Sequence, residues 1–193
     1  MVWLVRGDNQ YRVIQELENE SDRSAIIIGS SIVETHLTAA LKSNLHHNPK
    51  IFEELFNPGR AIGDFGTKIQ LGHVLGLYKI SSYNDLKIIR RLRNDFAHNL
   101  DYKGFDDQKV KNRIQNIKIT DEYVGSSVHE ILHQANKPNL NLIVYDTPPQ
   151  DTRHKFLLAC QLFGMLLSAQ SDQAVIPQPR PYGFWNACFQ NHE

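Results

Sequence analysis

The sequence predicts an all-α fold, a helical bundle over residues 1–170 followed by a Pro- and aromatic-rich tail at 171–193. Two observations carry that expectation, and a third adds one exception. Apolar residues recur at spacings of three and four, most clearly at Leu86, Ile89, Leu92 and Phe96, which places them on one face of a helix. Capping residues stand just ahead of several such stretches: Ser21-Asp22, Asp64 and Ser82. A period of two is expressed at Leu140, Leu142 and Val144, between Pro138 and Pro148-Pro149, so a short strand is expected near 139–146.

Composition narrows the class. At 193 residues one domain with a good core is the default. The 21 basic and 21 acidic residues cancel, so the whole-chain field gives no general attraction to nucleic acid or anionic lipid, and any such contact needs a local patch. No uninterrupted apolar run approaches the roughly 18 residues of a spanning helix, and Met-Val-Trp-Leu-Val-Arg at the start is too short for the apolar part of a signal peptide. The 2 cysteines, Cys160 and Cys188, form no disulfide framework and fit a reduced, cytoplasmic setting. The 9 histidines prompt a search for metal ligands.

Residues 8–19 read as a short helix burying Val13, Ile14 and Leu17. A longer central helix follows over about 22–45, with Ile26-Ile27-Ile28 making its first turns apolar nearly all round, and it ends at His46-His47-Asn48-Pro49. Ile51 to Phe56 fit a further helical turn, and Asn57-Pro58-Gly59-Arg60-Ala61-Ile62-Gly63 is a loop. Asp64 caps the next helix, which carries Phe65, Ile69, Leu71, Val74 and Leu75 and stops near Gly76. Ser82 with Asp85 three residues on resembles a capping box, so a helix is expected from Ser82 to about Asn99. Residues 106–118 fit a helix, although Ile114, Ile117 and Ile119 also permit an extended segment. Asp151 or Thr152 opens a last helix over 153–170 with Phe156, Leu157, Cys160, Phe163, Leu166 and Leu167 on a broad apolar face.

The run Ala61-Ile62-Gly63-Asp64-Phe65-Gly66-Thr67-Lys68-Ile69, with Leu55-Phe56 before it and Leu75-Gly76-Leu77 and Asp85 through His98 after it, resembles the mannitol operon repressor family. Ser21-Asp22-Arg23 is similar to that family as well, and the resemblance covers about residues 20–102. It implies an all-helical regulator that lowers gene expression without a helix-turn-helix, by a route the resemblance leaves open; contacts with a protein or RNA partner are expected. The chain has no such DNA reader, and its zero net charge argues against direct DNA binding. Arg93-Asn94 and His98, with four residues between Arg and His, also resemble the motif of the HEPN superfamily, which implies homodimers that cut RNA without metal. Several HEPN toxins carry a tyrosine two residues after the histidine; here that position is Leu100, with Tyr102 two further on.

The chemistry is concrete enough to test. A histidine can move the 2′-hydroxyl proton near neutrality, and an arginine fork can hold the phosphate. In that reading Arg93, Asn94 and His98 are catalytic, and Arg90, Arg91 and Tyr102 are binding residues. Geometry objects: five positions on a straight helix separate Arg93 from His98 by roughly 140°. Convergence then needs a helix end, a bend or a second subunit. The plainer assignment pairs Arg93 with Asp95 or Glu34 and has His98 cap the helix C-terminus. A second motif, His129-Glu130-Ile131-Leu132-His133, matches the zinc-protease pattern, with His129 and His133 as ligands and Glu130 as base. Asp146, Asp151 or His154 would have to supply the third ligand, so an incidental helix is the main reading and neither metal nor cofactor is expected. Lys109, Lys111, Arg113 and Lys118 form a modest basic run, His73 reads as a satisfied core residue, and Gly59-Arg60 with Gly63 matches no phosphate loop.

Overall fold

The computed structural model describes residues 17, 20–123, 149 and 151–173, and every regular element among them is an α-helix. In chain order these are α1 (Asp22–Ser43), α2 (Pro49–Phe56), α3 (Phe65–Val74), α4 (Ile80–His98), α5 (Gln108–Gln115), α6 (Ile119–Tyr123) and α7 (Thr152–Gln173). The strand expected near 139–146, the His129–His133 motif and nearly all of the 8–19 helix lie outside the described residues, as does the tail from 174 on.

The all-α expectation holds, and α1 is its axis. Ser21 starts it by accepting the Ser24 N–H at 3.2 Å, with Asp22 in the first turn to suit the helix dipole. α1 lies along α7 and also packs on α4 and α3, so it is covered on most sides. Ala25, Ile26, Val33, Leu37, Ala40 and Leu41 are buried along it. Each large side chain buried this way contributes about 1.5–3 kcal/mol. Gly29 sets the approach to α7: a methyl there would stand 3.4 Å from Cys160 Sγ and from a Phe156 ring carbon. By length and composition α1 is apolar enough to cross a membrane, with mean hydropathy 1.4, but half of its apolar window is covered by the other helices.

The remaining helices follow from their caps and apolar periods. α2 begins two residues before Ile51 because Asn48 accepts the Ile51 N–H at 3.2 Å and Pro49 suits the first helical position. Asp64 caps α3 as expected, accepting Gly66 N–H at 2.7 Å and the Thr67 hydroxyl. That hydroxyl, with the Gly66 and Thr67 amides and the Arg90 charge, holds the Asp64 carboxyl below its usual range, against a smaller burial effect. Gly76, at φ +74°, turns the chain after α3. The 106–118 segment is helical at 108–115, and Ile114, Ile117 and Ile119 all enter the core. α7 runs three residues past the expected end at Gln170.

One expected cap is wrong, and the reason is informative. α4 starts at Ile80 with Lys79 at the N-cap and no side-chain cap bond. Asp85, only 1% exposed, faces away from its own helix start and accepts the Lys118 N–H at 3.0 Å and the Ile119 N–H at 2.8 Å. It therefore caps α6, whose first amides would otherwise be buried without acceptors. Burial raises the Asp85 carboxyl above its ordinary value, opposed by those two amides. Another long-range tie is Arg153 on α7, which donates to Asp22 Oδ1 at 2.5 Å and to the Leu17 and Glu20 carbonyls at 3.0 and 2.9 Å. Asp22 Oδ2 takes the Phe105 N–H at 2.9 Å. The backbone reaches it only because Gly104 adopts φ +101°, where a Cβ would strike the Asp22 carboxylate.

Candidate functional site

α4 divides its charged residues between two sides. Arg93, on the border of the apolar face, turns inward and donates to Glu34 Oε2 of α1 at 2.8 Å. Glu34 Oε1 accepts Lys68 Nζ of α3 at 2.7 Å. One carboxylate thus holds two cations and pins three helices, with the Lys68 side chain 8% and the Arg93 side chain 33% exposed. Asp95 also turns inward, to Arg113 on α5, and accepts the Tyr102 hydroxyl at 3.5 Å. Tyr102 is stacked on Phe96 with ring centroids 5.3 Å apart. The arrangement gives Tyr102 a structural place beside the core.

The C-terminus of α4 corrects the sequence reading. The side chain that takes its last carbonyls is Arg23, which donates to Phe96 O and, at 3.0 Å, to Asn99 O, and lies over the Phe96 ring. His98 does not cap the helix; it is exposed in the last turn, as is Asn94 one turn earlier. The Asn99 N–H closes the helix on Asp95 O at 2.8 Å. Arg93 therefore faces the core-side carboxylate, whereas Asn94 and His98 face solvent. The three residues of the expected motif are not brought together within one chain.

The expected binding residues differ in the same way. Arg90 is half-exposed, lies against Gly66 and reaches Asp64 Oδ1 at 3.6 Å. A methyl on Gly66 would stand 2.7 Å from the Arg90 guanidinium carbon, so glycine there lets the arginine lie across α3. Arg91 is exposed. Among the described residues, the side chains of Arg91, Asn94 and His98 make no hydrogen bond or ion pair. Those three form the open part of the site.

Elsewhere the candidates resolve into structural roles. The 109–118 basic run is not one patch: Lys111 pairs with Asp106 at 2.9 Å and Arg113 with Asp95, leaving Lys109 and Lys118 exposed. His73 meets the Tyr78 carbonyl at 3.1 Å, stacks on the Tyr78 ring and lies against the tilted Tyr83 ring, as a satisfied histidine should. His46 and His47 are exposed, and His47 sets its edge on Phe52. Gly63 closes a turn on the Arg60 carbonyl at 2.9 Å. A groove of about 380 Å³ between α5, α6 and α7 is lined by Ile114, Asp121 and Lys155, among others, and by no residue of α4. No group of three potential metal ligands occurs among the described residues.

Lys68 and the Arg23 cap were not anticipated as partners of α4. Their signal was present as isolated charge: Lys68 sits between Phe65 and Ile69, and Glu34 follows the apolar stretch from Ala25. A lone charge on a buried face needs a partner, so such residues identify one another. Compared with protein-family models, curated proteins and solved structures, the chain matches none.

Proposed function

We propose that this chain is a cytoplasmic regulatory module, similar to the mannitol operon repressor family, that lowers gene expression through contacts on the outer face of α4. The observation that supports this most is the division of α4: Arg93 is committed to Glu34, while Arg91, Asn94 and His98 stand exposed and unpaired among the described residues. A guanidinium spent on an inter-helix carboxylate stabilises the bundle and is a poor phosphate ligand. The exposed residues offer recognition chemistry on a rigid element. The test is transcript profiling of the host without the protein. Re-introduced wild type should restore low levels of the transcripts that rise, and Arg91→Glu with His98→Glu should leave them raised at equal protein abundance. Full restoration by that variant would refute the reading.

A second reading is a metal-independent endoribonuclease assembled in a homodimer. It is favoured by Asn94 and His98, exposed at a spacing of four on one face, where a second copy could complete them. It predicts RNA cleavage in the presence of a chelator that is lost with His98→Ala. Intact RNA with pure dimer excludes it.

A further inference from the structure

The outer side of α4 carries a seam with the spacing of a helix-pairing surface. Ile80, Asn84, Lys87, Arg91, Asn94 and His98 follow one another at alternating steps of four and three, the 3.5-residue period that keeps a straight line along a helix. All are exposed except Lys87, which is half-exposed with its ammonium 5.0 Å from the Tyr83 ring centroid. The seam spans about 27 Å at 1.5 Å per residue.

Its charge is one-sided. The acids of α4 are Asp85 and Asp95, and both are turned inward, to the α6 amides and to Arg113. What faces outward is Lys87, Arg90, Arg91 and His98, on a chain with no net charge. Ile80 opens the seam at 59% exposure, and Leu100, in the turn two residues past its last member, is 85% exposed. We propose that this seam docks an acidic amphipathic helix of a regulatory protein partner, with Asp or Glu opposite Lys87 and Arg91 and apolar residues over Ile80 and Leu100. The proposal rests on the regulatory reading above and names its partner's chemistry.

Two features favour a helix over an RNA backbone. Phosphate tracking needs a long row of cations, yet the seam itself carries two, Lys87 and Arg91, and Arg90 beside it is shared with Asp64. Exposed apolar residues at the start of the seam and in the turn just past it suit a protein partner, for which they supply desolvated contact, and give a phosphate chain nothing. Opposite charges along the middle fix register and steer encounter.

The experiment places a photo-crosslinking benzophenone amino acid at Asn84, on the seam but outside the Arg93–His98 motif, in the full chain expressed in its host. Mass spectrometry of the adduct should identify a helix-forming protein segment with Asp or Glu at spacings of three and four. Lys87→Glu with Arg91→Glu should cut adduct yield at least fivefold. An adduct with RNA, an adduct with a basic or strand-forming segment, no adduct, or a yield insensitive to charge reversal would overturn the proposal. Transcript profiling of the same charge-reversed chain separates the two levels. Raised transcripts without an acidic-helix adduct remove only this inference; normal repression removes the regulatory reading itself.

Discussion

Replacing Glu34 by Gln removes one negative charge without changing volume, and its cost can be worked from the contacts. Glu34 accepts Lys68 at 2.7 Å and Arg93 at 2.8 Å. A hydrogen bond to a charged group contributes about 1.5–3 kcal/mol, and removing one member of a buried pair leaves the other charge uncompensated at about 3–5 kcal/mol. Arg93 is one-third exposed and can turn to water, whereas Lys68 is almost wholly buried. Discounting the Arg93 share, Glu34→Gln should cost about 3 kcal/mol. Lys68→Met should cost about 1 kcal/mol or less, because it leaves Glu34 and Arg93 as a neutral pair and fills the site with a thioether of similar length. Urea unfolding reads both: with a slope of about 2 kcal/mol per molar, the midpoint should fall by about 1.5 M for Glu34→Gln and about 0.5 M for Lys68→Met. Equal losses, or a Glu34→Gln midpoint within about 0.2 M of wild type, would refute the single-carboxylate account of the triad.

Asp85→Ala leaves the Lys118 and Ile119 amides without an acceptor and should cost about 2–5 kcal/mol, read as the urea midpoint, whereas Asp85→Asn keeps one acceptor and should cost less. The pH dependence has a definite sign. Because the folded Asp85 carboxyl is raised above its unfolded value, its contribution is full below the unfolded value and falls as pH rises through the folded one, so Asp85→Asn should flatten the loss of stability on going up from the ordinary carboxylate range. Asp64 acts oppositely: its lowered carboxyl stabilises above its unfolded value and the contribution is lost as pH falls through the folded one, a loss that Asp64→Asn should abolish in acid titrations. Arg23→Ala removes the carbonyl cap of α4 and the contact with the Phe96 ring, and should cost about 1–2 kcal/mol with faster amide exchange in the last turn of α4. Gly104→Ala forces a Cβ toward the Asp22 carboxylate at positive φ and should lower the melting temperature by several degrees, about 2 kcal/mol in size.

How far the sequence carried this picture depends on the range of the forces involved. The helices announced themselves because their signals are local: Ser21 and Asp64 cap as read, and Leu86, Ile89, Leu92 and Phe96 bury as their spacing requires. The capping box at Ser82 and Asp85 failed because a tertiary demand outweighed a local one. A carboxylate forced into the core goes to the amides that need it, here more than thirty positions away at Lys118 and Ile119. For the same reason the Arg23 cap on α4 was invisible, while the exposed cap expected from His98 was not formed. The helical angle between Arg93 and His98 was legible and correct in consequence, since the two side chains face different surroundings. The sequence offers Arg93 two carboxylates, Asp95 and Glu34; Arg113 occupies Asp95, and Arg93 pairs with Glu34.

The central claim is that α4 works through its outer face and spends Arg93 on the fold. A paired complementation compares Arg91→Glu, at the exposed guanidinium, with Arg93→Met, at the paired one, by the level of the transcripts that rise when the protein is absent. The account predicts that a folded Arg93→Met chain restores repression and that Arg91→Glu does not. Repression lost with Arg93→Met at wild-type abundance and retained with Arg91→Glu would contradict it.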